Sequence, residues 1–151
     1  MASKIRVLFI CQHNSGRSQI AEAYLREIYG DHFEIESAGL EPAEALNPLV
    51  VKVMDEVGID LSKKKPQSVF DLFKQGRVYA HVITVCHDSE TKCPLFPGIT
   101  KRWHWPFDDP AAVEGNEAEK LNAVRKIRNS INAWLLNPPE DTIDFKALID
   151  K

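Results

Sequence analysis

The feature that most limits what this chain can fold into lies near its start, where residues 5 to 30 pass from a buried-strand pattern through a short polar loop into a helix pattern. Ile5, Arg6, Val7, Leu8, Phe9 and Ile10 form a largely apolar run rich in β-branched and aromatic residues, bounded by polar turn formers, which reads as a buried strand. From Ser18 onward, Ile20, Tyr24, Leu25 and Ile28 recur at helical spacing. Glu22 and Glu27 stand between them, and Gly30 supplies a stop. The loop between the two patterns therefore feeds a helix N-terminus, where unpaired N–H groups and the positive end of the helix dipole attract an anion.

The residues of that loop, Cys11-Gln12-His13-Asn14-Ser15-Gly16-Arg17-Ser18, suit such a site. Small residues such as Ser15 and Gly16 let the backbone close on a ligand. The dipole, Arg17 and the Ser18 hydroxyl all favour the Cys11 thiolate, the nucleophilic form, over the thiol. Arg17 carries a planar fork of donors that fits two oxygens of a tetrahedral oxyanion, which a lysine holds only as a point charge. The sequence thus predicts a substrate cradle at residues 12 to 18 around a nucleophilic Cys11. The plainer alternative is a cysteine that merely ends a core strand, since cysteine is among the most buried residue types. A nucleotide-binding P-loop is excluded, because no glycine-rich stretch ends in Gly-Lys-Ser or Gly-Lys-Thr.

Further along, Phe33, Ile35 and Ser37 alternate with Glu34 and Glu36 in a half-buried strand that ends at Ala38-Gly39. Asn47-Pro48 opens a helix whose inner stripe is Val50, Val53, Met54 and Val57, closed by Gly58. Lys63-Lys64-Lys65-Pro66 breaks the pattern and reads as a solvated turn before a short helix over Ser68 to Gln75. Val78 to Cys86 reads as a third strand and Lys101 to Trp105 as a fourth. Leu121, Val124, Ile127, Ile131 and Leu135 mark a long final helix. This alternation predicts an α/β fold of three layers, a central four-stranded parallel sheet flanked by helices, in one domain of 151 residues. The core is expected over 5–136. The tail 137–151, with Ile143, Phe145, Leu148 and Ile149, is expected to dock as a short strand or helix without chemistry. Ligands of such sheets bind beyond the carboxyl ends of the strands, and Cys11 and Cys86 both stand at such ends.

Composition narrows the partners. The net charge of −3 argues against nucleic acid, which needs a basic face. No apolar stretch approaches the ~20 residues that span a bilayer, so no membrane is expected as a partner. Three cysteines without a secretory leader pattern point to a reducing, cytoplasmic setting. A monomer is expected.

Two more places bear on chemistry. Cys86 and Cys93 flank a polar segment short enough to close as a disulfide if it bends. They also fit a buried strand-end cysteine beside an incidental one, or a zinc site with His87 or His104, although zinc sites usually show tighter pairs and four clear ligands. Asp109, in Trp105-Pro106-Phe107-Asp108-Asp109-Pro110, can protonate a leaving oxygen if it stands near the thiolate, or it simply starts a turn. Trp103 and Trp105 read as packing residues, and His104 as structural.

Taken together, the loop Cys11 to Ser18, the strand end Ser37-Ala38-Gly39 and Asp109-Pro110 resemble the low-molecular-weight protein tyrosine phosphatase family, over residues 5 to 136. Within it the chain looks most like the thioredoxin-coupled arsenate reductases, which add a redox pair at the end of the third strand, matched by Cys86 and Cys93. The phosphatases usually carry two tyrosines after Asp-Pro, where this chain has Ala111-Ala112. The resemblance implies that arsenate binds the loop and Arg17, Cys11 attacks arsenic, and Asp109 protonates the departing oxygen. Cys86 then displaces arsenite as a Cys11–Cys86 disulfide, which Cys93 converts to Cys86–Cys93 for thioredoxin to reduce. It further implies that Asn14 braces the loop and that Ser18 hydrogen bonds the Cys11 sulfur; no metal and no bound cofactor is expected from the residues themselves. Hydrolysis of phosphate monoesters through Cys11 is the competing activity. Some members carry a further cysteine where Gly16 stands. Some bind potassium through a threonine and an aspartate, whose places Lys65 and Gln67 take here, so that a lysine is expected to supply the charge.

Overall fold

A computed structural model of the chain describes residues 4–86 and 100–150. β1 (Ile5–Cys11) leads into α1 (Arg17–Tyr29), β2 (Phe33–Gly39), α2 (Pro48–Asp55), α3 (Val69–Lys74), β3 (His81–Thr84) and β4 (Lys101–His104). A 3₁₀ turn over Pro110–Ala112, α4 (Glu117–Leu136) and α5 (Phe145–Ile149) complete the described elements. The sheet is four-stranded and parallel throughout, in the order β2-β1-β3-β4, as expected from the strand and helix alternation.

β1 is the centre of this order because its run is apolar on both faces. Val7 and Phe9 join one core with α1, α2, α4 and α5, while Leu8 and Ile10 join a second with Val69 and Leu72 of α3 and with Tyr79. All four β1 residues are fully buried, each stabilising the fold by about 1.5–3 kcal/mol. The chain leaves β1 to β2 on one side and later returns to β3 on the other. Strand order thus reverses beside the carboxyl end of β1, which opens a crevice there. Cys11 is the last residue of that strand, paired with Gly39 at the end of β2.

Four sequence expectations are corrected. Val57 is not on the inner stripe of α2 but 43% exposed, because the helix ends at Asp55 and Gly58, at φ +81°, turns the chain so that Ile59 packs on the core instead. The third strand begins at His81 rather than Val78. Gly76, at φ +71°, reverses the chain after α3, leaving Val78 45% exposed before the sheet is reached. The core does not stop at 136, since Ile143 and the fully buried Phe145 enter it on the tail, which docks as α5. The solvated lysine turn is only partly so, for Lys64 reaches inward, as described below.

Candidate active site

The loop from Cys11 to Arg17 is fixed on one side by a zipper of backbone bonds to the segment after β2. Leu40 N–H donates to Cys11 O (3.1 Å), Glu41 N–H to Gln12 O (2.8 Å), Ala43 N–H to His13 O (3.0 Å) and Asn47 N–H to Ser15 O (2.9 Å). Gly39 is what allows this approach, because an ideal Cβ there would lie 2.8 Å from Asn14 N and 2.9 Å from His13 C. His13 is also tied down through its ring, whose Nδ1 stands 2.9 Å from Glu41 O. A carbonyl only accepts, so Nδ1 carries the proton.

Inside the loop Asn14 is fully buried in the left-handed region, at φ +52°, which asparagine tolerates better than most residues. Its amide orientation follows from its partners. The Gln67 backbone N–H donates to Asn14 Oδ1 (3.0 Å), and Gln19 Nε2 donates to both Oδ1 (3.0 Å) and the backbone oxygen of Asn14 (3.1 Å). Asn14 Nδ2 therefore donates, to Ser18 Oγ at 2.8 Å and to Ser37 Oγ at 3.0 Å. Ser18 Oγ, which accepts from Asn14, lies 2.9 Å from Cys11 Sγ, and toward a Cys11 thiolate, which only accepts, its hydroxyl is the donor. The Asn14 N–H also lies 3.2 Å from that sulfur. Two donors thus converge on a Cys11 thiolate, and the residue is 2% exposed at the base of the cleft.

The network continues into the protein. Ser37 donates to Glu22 Oε1 at 2.6 Å, and Glu22 Oε2 lies 2.8 Å from both Arg26 Nη1 and Lys64 Nζ. Two cations thus meet this buried carboxylate, Arg26 from the next turn of α1 and Lys64 from the lysine turn. The sequence expectation placed the relevant positions at Lys65 and Gln67; Lys65 is exposed, and Gln67 contributes its backbone N–H.

Arg17 starts α1 and is 7% exposed. Its Nη1 donates to Phe107 O at 3.0 Å, and its Nη2 stands 3.7 Å from Asp109 Oδ2. The fork is thereby aimed across the mouth of the loop. Asp109 starts a turn, which is one of its two sequence readings. Its Oδ1 caps the 3₁₀ turn by accepting from Ala111 N–H (2.9 Å), while Oδ2 faces Arg17. Gly16, the residue before α1, makes no side-chain cap, which leaves the first helical N–H groups to a ligand. Cys11, His13, Ser15, Gly16, Arg17 and Asp109 line one small cleft.

Cys86 is 3% exposed and lies two residues past Thr84, whose register partner on β1 is Ile10. It shares one buried cluster with Cys11. Cys93 and His87 lie outside the described residues. Among the described residues no cluster of metal-ligating side chains occurs, and no helix is long and apolar enough to cross a membrane.

The roles of Gln19, Glu22, Ser37 and the Phe107 carbonyl were not legible in the sequence. Gln19 and Glu22 are polar residues on a helix, and no local pattern distinguishes a buried polar position there from a solvated one. Ser37 enters the sequence reading as a strand residue and as part of the family resemblance but with no role of its own, and a backbone carbonyl leaves no trace in residue type.

A loop at the end of the central parallel strand, with cysteine at its base, arginine at its mouth and an aspartate opposite, makes a candidate site whose geometry suits a tetrahedral oxyanion. The chain belongs to the Low molecular weight phosphotyrosine protein phosphatase family, which matches residues 6–141. It is 42% identical over 134 residues to an arsenate reductase of Shouchella clausii, covering 88% of this chain and 93% of that one. Its fold is similar to that of an arsenate reductase solved in an oxidized state, with a TM-score of 0.71, 25% identity, and coverage of 87% and 94% of the two chains. It is also similar to a thioredoxin-dependent arsenate reductase of Corynebacterium glutamicum, with a TM-score of 0.59 and 35% identity over 87% of this chain and 64% of that one.

Proposed function

We propose that this protein reduces arsenate to arsenite through a relay of its three cysteines, with a thioredoxin-type dithiol as the external reductant. Arsenate binds the loop N–H groups and Arg17. Cys11 Sγ attacks arsenic, and one arsenate oxygen leaves as water with a proton from Asp109. Cys86 thiolate then attacks the Cys11 sulfur. The S–S bond forms as the As–S bond breaks, its electron pair stays on arsenic, and arsenite departs. Cys93 attacks Cys86, freeing Cys11 and leaving a Cys86–Cys93 disulfide that the external dithiol reduces.

The observation that carries this reading is the second buried thiol, Cys86, two residues past the end of β3 and in the same buried cluster as Cys11. Hydrolysis has no use for it. Ala111 and Ala112, where tyrosines would flank a phosphotyrosine ring, favour a small oxyanion as well. The kinship to arsenate reductases supports the same substrate.

The test replaces Cys86 with serine. Thioredoxin-coupled NADPH consumption with arsenate should be sustained in the natural protein and limited to at most one equivalent in Cys86→Ser. Mass mapping of the natural protein after one arsenate turnover should find the disulfide between residues 86 and 93. Sustained turnover by Cys86→Ser, or background consumption by the natural protein, would overturn the proposal.

A further inference from the structure

The loop that carries the Phe107 carbonyl and Asp109 has no regular secondary structure between β4 and the 3₁₀ turn, yet both of its functional groups bear on Arg17. What holds it is Trp105. This indole is fully buried and lies edge-on to Phe107, Trp134 and Phe145, with ring centroids 6.3, 5.5 and 6.1 Å away. Its backbone N–H continues the sheet pairing by donating to Thr84 O at 2.7 Å. Its ring N–H, a donor with no acceptor capacity, reaches the C-terminal tail and donates to Thr142 Oγ1 at 2.6 Å.

The tail is built to present that hydroxyl. Asp141, just before it, adopts φ +63°, a left-handed conformation that aspartate, like asparagine, takes more readily than most residues, and turns the chain there. Just after it, Ile143 is 3% exposed and Phe145 fully buried, packed on Phe9, Phe33 and Trp105. The family match ends at residue 141, so Thr142, Ile143 and Phe145 all lie beyond it.

We propose that Thr142 is a positioning residue of the oxyanion site: through Trp105 it clamps the loop of Phe107 and Asp109, and so sets the aim of Arg17. The C-terminal tail is then part of the active-site apparatus rather than an inert appendage. The proposal concerns anion placement and holds for any tetrahedral oxyanion. It does not depend on arsenate reduction.

Thr142→Val keeps the shape and removes the acceptor, leaving a buried indole N–H without its partner. Thr142→Ser keeps the acceptor and serves as the rescue. Both are read first by sulfate protection of Cys11 against iodoacetamide, followed on the Cys11 peptide, which needs no redox turnover. The measurement is made well below the melting temperature of each variant. Thr142→Val should raise the protecting sulfate concentration about tenfold, as expected for a sub-ångström misplacement of the arginine fork, and Thr142→Ser should stay within about twofold of the natural protein. Arsenate turnover should follow the same order. Should Thr142→Val not fold, Trp105→Phe removes the donor instead and should give the same loss of protection. Variants that melt at lower temperature yet keep sulfate protection within twofold would show a purely structural contact and overturn the proposal.

Discussion

Gly39→Ala tests how tightly the loop from Cys11 to Arg17 is bound to the sheet. The added methyl would meet three backbone atoms of the loop, Asn14 N at 2.8 Å, His13 C at 2.9 Å and Gln12 O at 3.0 Å. None is the end of a flexible side chain, so ordinary contact at 3.4 Å requires the loop to retreat by about 0.6 Å at Asn14. Gly39 is not in the left-handed region, so the clash is the whole effect of the change. That retreat moves the Asn14 N–H, which lies 3.2 Å from Cys11 Sγ, and strains the zipper from Leu40 to Asn47. Overpacking of this kind costs about 1–3 kcal/mol of stability. A displacement approaching 1 Å at reacting groups lowers rates by up to ~100-fold, so kcat/KM for arsenate should fall about 10- to 100-fold. The checks are urea unfolding, steady-state turnover, and the alkylation rate of Cys11. Wild-type turnover together with an unchanged unfolding midpoint would refute the reasoning, because it would mean that the loop yields to the methyl at no cost.

Two other perturbations probe the network and the far end of the sheet. Lys64→Met removes one of the two cations on the buried Glu22 carboxylate and leaves Arg26. Urea unfolding should report a loss of about 1–3 kcal/mol, and turnover should drop several-fold through the chain Glu22, Ser37, Asn14, Ser18. At the start of β3, burial holds the His81 imidazole below the usual histidine range, and Trp103 Nε1 donates to its Nδ1 at 3.0 Å. The unfolded chain therefore binds this proton more readily than the folded one. The stability that neutral His81 contributes is present above about pH 6.5 and is lost as pH falls from there through the lower folded value. Melting temperatures between pH 8 and pH 5 should decline less steeply in His81→Gln, which keeps an acceptor for Trp103 without titrating.

Much of the fold was legible because its signals are local. The run Ile5 to Ile10, the N-cap at Asn47 before Pro48, and the apolar spacing of the last helix each identify their element without reference to any other. Expectations failed where a turn decided the outcome. Val57 keeps helical spacing with Met54 yet points outward, because Gly58 ends the register that spacing assumes. The tail is a different case. Ile143 and Phe145 are ordinary apolar residues after two prolines, and only the gap between β1, β2 and Trp105 makes them core.

At the site the division is sharper. The sequence alone singled out Cys11, the loop after it, Arg17 and Asp109 as candidates, because a loop of fixed length between a strand and a helix places all but the last by covalent connection, and the structure puts Cys11, Arg17 and Asp109 on one cleft. Only the tertiary structure decided which groups brace them. Gln19 and Glu22 from α1, Ser37 from β2, and Lys64 and Gln67 from the turn before α3 join in one network behind Asn14, while the Phe107 carbonyl, from a fourth part of the chain, holds Arg17. The physical reason is that a buried polar group must find its partner wherever packing brings one, and that choice is made across the whole fold rather than along the chain.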